Sequence, residues 1–148
     1  MAEKLRQADP AAFRVLAKTP VPFQHRDVAN HMLAYHTVIG EDSLGHVTRF
    51  SLNTLDRDSL LLPADEIAPF YRAWRAMCSQ VRDAANEAWL SLTPGNLIIL
   101  DNRRVLHGRS AISHGSGRVL CGCYVGYDDF NSKLSVLEQD LRRRHGLE

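Results

Sequence analysis

The sequence predicts a mixed α+β fold, mainly antiparallel β, with helices packed outside a sheet. Three observations carry that prediction. Apolar runs of strand length recur between turn residues, one long segment in mid-chain has helical apolar period, and helical patterns occupy both ends. With 148 residues, 45% of them hydrophobic and 24% charged, the chain suits one domain with its own core.

Residues 2–8 and 11–18 read as two short helices, divided at Asp9-Pro10, where the aspartate is an N-cap and the proline takes the first helical position. Pro20 and Pro22 end that region and force extended backbone. Residues 32–39 and 46–52 read as strands of a hairpin closed by the turn-rich 40–45 segment. After Pro63, Asp65 and Glu66 supply early acids for a helix near 64–83. Ile67, Phe70, Tyr71, Trp74, Met77, Cys78 and Val81 follow at offsets 0, 3, 4, 7, 10, 11 and 14, one apolar stripe with Arg72, Arg75 and Arg82 off it. Such a stripe marks a core-packing helix. Strands are expected at 88–92 and 97–100, joined by Thr93-Pro94-Gly95-Asn96 as a type II turn. A polar loop follows at 101–112, then a turn at 114–117 and a strand at 118–127. The closing helix is expected at 128–144, with Leu134, Leu137 and Leu141 on one face.

Composition excludes several classes of function. Lys plus Arg is 18 against 17 for Asp plus Glu, a net charge of +1, which argues against nucleic-acid or polybasic membrane binding. No apolar run approaches the ~20 residues of a membrane helix. The charged stretch from Met1 to Asp9 contains no secretory core segment. The three cysteines include Cys121 and Cys123 on either side of one glycine, too close for a usual disulfide or a zinc C-x-x-C pair. These features together predict structural thiols in a reducing, cytoplasmic setting.

Chemistry concentrates in Asp101-Asn-Arg-Arg-Val-Leu-His-Gly-Arg109, directly after the expected strand at 97–100. Polar residues at a strand end often form a ligand site. A neutral imidazole is a common ligand for iron or zinc, although local physics alone favours His107 as a turn cap beside solvated arginines. Arg118, 11 residues later, opens an apolar strand. An arginine directed into a sheet needs an anionic partner. A bound dicarboxylate meets that need by bidentate contact, as does a structural aspartate.

The block from Asp101 to Arg109, followed by Arg118-Val-Leu-Cys-Gly-Cys-Tyr124, resembles the C-terminal part of the carnitine-biosynthesis dioxygenases. These are γ-butyrobetaine dioxygenase and trimethyllysine dioxygenase, in the taurine-dioxygenase-like Fe(II)/2-oxoglutarate oxygenases. The family pattern reads roughly D-N-W-R-x-L-H-G-R, then R-x-x-x-G-x-Y. Pro69-Phe70-Tyr71 and the segment from Asn53 to Arg57 fit as well, and the resemblance is best from about Val47 to Leu137.

The resemblance implies a partial double-stranded β-helix, or jelly roll, with packed helices. It implies that residues 1–148 are the C-terminal portion of such an oxygenase domain, with the N-terminal domain and the His-x-Asp half outside the chain. The implied activity is hydroxylation of γ-butyrobetaine or trimethyllysine, with Fe(II), 2-oxoglutarate as co-substrate and ascorbate as an accessory. Carried over position by position, His107 is the distal histidine of the 2-His-1-carboxylate iron triad. Arg118 pairs with the distal carboxylate of 2-oxoglutarate, and Arg109 supports that site. Tyr124 is a ring of the cage around the trimethylammonium group, a cation–π contact, and Asn53 lines the substrate pocket. Arg103 stands where the family has tryptophan.

His25-Arg26-Asp27 matches His-x-Asp literally, 82 residues before His107, but in the family alignment it falls in a segment without a ligand role. The expectation is coincidence. His31, His36, His46, His114 and His145 show no ligand spacing and are expected on the surface or in loops. The partners implied are a small quaternary ammonium substrate and a second copy of the chain docked through the C-terminal helix, with no nucleic acid and no membrane. Cytoplasmic placement becomes the mitochondrial matrix for a trimethyllysine dioxygenase. A second hypothesis is a truncated, non-catalytic pseudoenzyme or assembly module of the same fold, with the helix at 128–144 as its dimer surface.

Overall fold

The computed structural model describes residues 1–53, 56–111, 117 and 119–146. It divides into two units, Met1–Gly108 and Arg109–Glu148.

In the first unit Asp9 does what its sequence position predicts. Its carboxylate accepts from the Ala12 amide at 2.9 Å, capping α2 (Pro10–Lys18), while its own amide closes α1 (Ala2–Ala8) on the Leu5 carbonyl at 2.8 Å. Asp9→Ala is expected to cost about 1 kcal/mol, the usual worth of an N-cap. A lower urea midpoint at unchanged slope checks this.

The first unit holds two small antiparallel sheets, β1 (Pro20–Arg26) with β2 (His31–Thr37) and β3 (Ile39–Glu41) with β4 (Val47–Phe50). Two expectations are corrected here. The strand expected at 32–39 is broken at Val38, and its first part pairs with the proline-bearing segment 20–26, in register Pro20↔Thr37 to Arg26↔His31. Proline lacks only the N–H, so it fits an edge strand where that donor faces away from the ladder. The expected hairpin survives in shortened form as β3–β4. Asp42 closes it, accepting from the Leu44 and His46 amides, and Gly45 takes a φ of +80° in the turn.

Helix α3 (Ala64–Val81) spans the long periodic segment. Phe70, Ala73 and Met77 are buried on it, whereas Ile67 and Tyr71, expected on the core stripe, are each 38% exposed. The real stripe is narrower and passes through Ala73, whose small side chain admits close approach of α2. The core joins Leu5, Phe13 and Leu16 from the first two helices with Val21 of β1, Val38 at the break between β2 and β3, Ile39 of β3, and Phe70 and Met77 from α3. Arg6 bridges helix and hairpin, its guanidinium lying over the Phe13 ring at 4.3 Å while donating to Glu41 at 2.9 Å and to the Gly45 carbonyl at 2.7 Å.

The turn at Thr93–Asn96 forms as expected, with Asn96 N donating to Thr93 O at 3.0 Å and Gly95 at φ +88°. Its flanking strands do not. Residues 88–92 and 97–100 have no ladder partner, and neither do the described residues of the expected 118–127 strand. Exposure along Leu97, Ile98, Ile99 and Leu100 runs 82, 42, 82 and 39%, so the alternation of a strand is present without its pairing. A strand exists only by bonding to a neighbour. The architecture is therefore mixed α/β with antiparallel strands, and the described residues do not close a jelly roll.

In the second unit, α4 (Tyr127–Arg144) begins one residue before its expected start. Leu134, Leu137 and Leu141 share a face, but all three are exposed rather than packed.

Candidate functional site

The polar loop is built from its first residue. The Asp101 carboxylate accepts from Arg103 N at 3.0 Å, and its carbonyl accepts from the amides of Arg104 and Val105, each at 3.0 Å. Phe50 N, at the end of β4, donates to Arg103 O at 2.7 Å. The turn that launches the loop is thus pinned to the second sheet through backbone. Substituting arginine for tryptophan at position 103 leaves that anchor available, since any residue supplies the carbonyl. His107 follows, exposed, near the end of the first unit.

Asn53 is exposed and donates from Nδ2 to the Asp56 carboxylate. The segment after it lies on the outer edge of β1. Gln24 N donates to Asp56 O at 2.7 Å, Asp58 N to Pro22 O at 3.0 Å, and Arg57 forms an isolated antiparallel bridge with Phe23. The Arg57 guanidinium then reaches α3, 4.6 Å from the Trp74 ring centroid and 5.8 Å from that of Tyr71. Sequence reasoning included Arg57 in the resemblance without a role. The available signal was a cation in the segment just before a helix that carries Phe70, Tyr71 and Trp74 within two turns.

Arg109 and Tyr124 belong to the second unit, where both are exposed, Tyr124 at 84%. Arg118 lies outside the described residues, as does His114. The structure therefore brings Asn53 and the His107 loop onto the edges of one unit and describes Arg109 and Tyr124 in the other.

His25 and Asp27 have a structural occupation. Asp27 ends the β1–β2 hairpin, accepting from the amides of Ala29 and Asn30 at 2.7 and 2.6 Å and from the Asn30 side chain at 3.1 Å. His25 Nε2 stands 3.5 Å from the same carboxylate. The Asn30 side chain first, then these amides and nearby His25, hold the Asp27 carboxyl below its ordinary value of 3.8. The backbone bond from His46, aided by its side chain and by Leu44, does the same for Asp42. Among the described residues, no three His, Cys, Asp or Glu side chains converge as a metal site. The described donor set does not by itself fit an iron centre. All three cysteines are free, Cys78 half-buried and Cys121 and Cys123 exposed.

His36 corrects the expectation of a surface or loop position. It lies half-buried in β2, opposite Val21, and its ring is 6.2 Å from that of Phe23. Burial, reinforced by the Arg49 charge, lowers its pKa below the ordinary 6.5. The unfolded chain therefore takes up this proton first. Stability is expected to fall as pH drops from 6.5 toward the lowered folded value, and to level off below it. Urea midpoints between pH 7 and 5 check this, and His36→Gln should flatten that limb of the profile.

Sequence comparison supplies the class. Residues 1–124 match the family described as taurine catabolism dioxygenase TauD, TfdA family, and the chain belongs to that family. Among relatives, γ-butyrobetaine dioxygenase of Pseudomonas sp. (strain AK-1) is 36% identical over 140 residues, covering 94% of this chain and 37% of the relative. Human γ-butyrobetaine dioxygenase is 31% identical over 143 residues, covering 93% and 37%. The mitochondrial trimethyllysine dioxygenase of Gallus gallus is 34% identical over 141 residues, covering 90% and 32%. The chain thus spans about a third of the length of these relatives. Among the described residues, no helix is long and apolar enough to cross a membrane.

Proposed function

We propose that the chain acts as the C-terminal portion of a 2-oxoglutarate-dependent dioxygenase that hydroxylates a small quaternary ammonium substrate, γ-butyrobetaine or trimethyllysine, in carnitine biosynthesis. The observation that carries this is the joint match of the His107 and Tyr124 blocks with a family likeness running through residues 1–124. In the complete domain, a double-stranded β-helix would give the segments at 88–92, 97–100 and 119–126 their ladder partners. The alternating exposure at 97–100 supports that completion. Fe(II) and 2-oxoglutarate, with ascorbate as accessory, supply the oxidative chemistry when bound.

The roles of this chain's residues follow. His107 contributes one metal-ligating nitrogen. Arg118, with Arg109 in support, takes the far carboxylate of 2-oxoglutarate by bidentate hydrogen bonding. Tyr124 offers a ring face to the trimethylammonium group, and Asn53 hydrogen-bonds the substrate. Cytoplasmic residence goes with a γ-butyrobetaine dioxygenase and the mitochondrial matrix with a trimethyllysine dioxygenase. The alternative, a non-catalytic assembly module, draws support from the exposed apolar face Phe130, Leu134, Leu137 and Leu141 of α4, which suits a homodimer.

Replacing Tyr124 by leucine separates the two readings in an enzyme completed by the remaining part of a longer relative. For the dioxygenase, the KM for the quaternary ammonium substrate is expected to rise about 30-fold, the worth of a desolvated cation–π contact of about 2 kcal/mol, with the KM for 2-oxoglutarate unchanged. No substrate-dependent succinate release before substitution, together with a dimer by sedimentation, supports the assembly module.

A further inference from the structure

We propose that Arg57 is a positioning residue whose stack on Trp74 holds the segment 56–58 on the edge of β1 and thereby presents Asn53. The segment is gripped from two sides by different forces. On the strand side, the bonds from Gln24 N to Asp56 O at 2.7 Å and from Asp58 N to Pro22 O at 3.0 Å bracket the Phe23–Arg57 bridge. On the helix side, the guanidinium faces two rings, with Trp74 at 4.6 Å and Tyr71 at 5.8 Å. Its Nη1 is buried without a hydrogen-bond acceptor. A planar cation that gives up a donor bond in this way is held by its faces, which lysine's compact ammonium cannot reproduce.

Asp56 transmits the grip. Its carbonyl accepts from β1 and its carboxylate accepts from Asn53 Nδ2, so one residue, covalently next to Arg57, fixes both the backbone and the amide of Asn53. Trp74 is itself half-buried on α3 and stacked on Phe70 at 6.1 Å, so the clamp is rooted in the core. A three-residue edge segment with one isolated bridge has little cooperative pairing of its own. Without the stack it should open locally rather than with the whole unit. The importance of Asn53 rests on the proposed function, but the clamp does not, and it is tested without substrate.

The test uses the full 148-residue chain, its Arg57→Ala, Arg57→Lys, Trp74→Leu and Trp74→Tyr variants, and nuclear magnetic resonance. In Arg57→Ala and Trp74→Leu, the Asn53 side-chain amide signals are expected to move away from their native positions. Exchange of the Asp58 amide should quicken about tenfold or more, while exchange at Leu16 and Met77 stays within about twofold. Trp74→Tyr should retain the native Asn53 signals, and Arg57→Lys should not. The double variant Arg57→Ala with Trp74→Leu should add nothing to either single change. Native Asn53 signals in Arg57→Ala, or in Arg57→Lys should the alanine variant unfold, would overturn the proposal. So would equal quickening at Asp58, Leu16 and Met77.

Discussion

His107→Ala is expected to lower substrate-dependent succinate release more than about 100-fold in an enzyme assembled from this chain and the part of a longer relative that it does not span. Loss of an outer partner of a metal ligand already costs about 10–100-fold, and loss of the ligand itself must exceed that. The 148 residues alone are expected to bind Fe(II) weakly and to leave 2-oxoglutarate decarboxylation uncoupled from hydroxylation. A facial triad requires two histidines and a carboxylate on one side of the metal. Here Asp27 is committed to closing a hairpin and His25 stands beside it. Calorimetry with Fe(II) and 2-oxoglutarate, run beside a succinate assay with γ-butyrobetaine and with trimethyllysine, measures both effects. Turnover by the chain alone that disappears in His25→Ala would make His25 and Asp27 ligands after all. Turnover that survives His107→Ala in the assembled enzyme would refute the role given to His107.

Phe70→Ala is expected to destabilise the first unit by about 3–5 kcal/mol, a large share of the 5–15 kcal/mol typical of a domain. Phe70 is fully buried, at the centre of the only cluster that joins the helices to both sheets among the described residues. Its ring meets Tyr71 edge-on at 5.7 Å and lies against Trp74 at 6.1 Å. Truncation removes the transfer free energy of the ring and leaves a cavity that the surrounding structure closes only in part. Urea denaturation followed by tryptophan fluorescence reads the loss through neighbouring Trp74. Ile67→Ala, on the outward side of the same helix, should cost well under 1 kcal/mol, as surface changes usually do. A similar cost at both positions would show that the apolar stripe, and not its narrow buried line, carries the packing.

Local chemistry was legible from the chain where one or two residues decide the outcome. Asp9-Pro10 set a helix boundary because cap and proline act within one turn. Pro94-Gly95 set a turn because only glycine readily accepts the positive φ there. Helix α3 was legible because 18 residues of consistent period leave no competing structure. The resemblance of the blocks at 101–109 and 118–124 to the dioxygenase pattern pointed to the family that the match over residues 1–124 shows.

Pairing was not legible. Residues 20–26 form a strand despite two prolines because β2 offers them a complete ladder, and residues 97–100 do not although their pattern is better. Pattern states which face of a segment is apolar, whereas a strand also needs a partner, and that partner lies far along the sequence. The same distinction governs the site. The residue types and spacing of His107, Arg109, Arg118, Tyr124 and Asn53 came from the sequence, and so did their likeness to an oxygenase centre. That Asp101 and Phe50 pin the His107 loop through backbone, that Asp27 is spent on a hairpin, and that Arg57 reaches across to Trp74 were decided only by the tertiary structure. Each of these contacts joins elements through hydrogen bonds or ring faces whose geometry depends on how the chain has already packed.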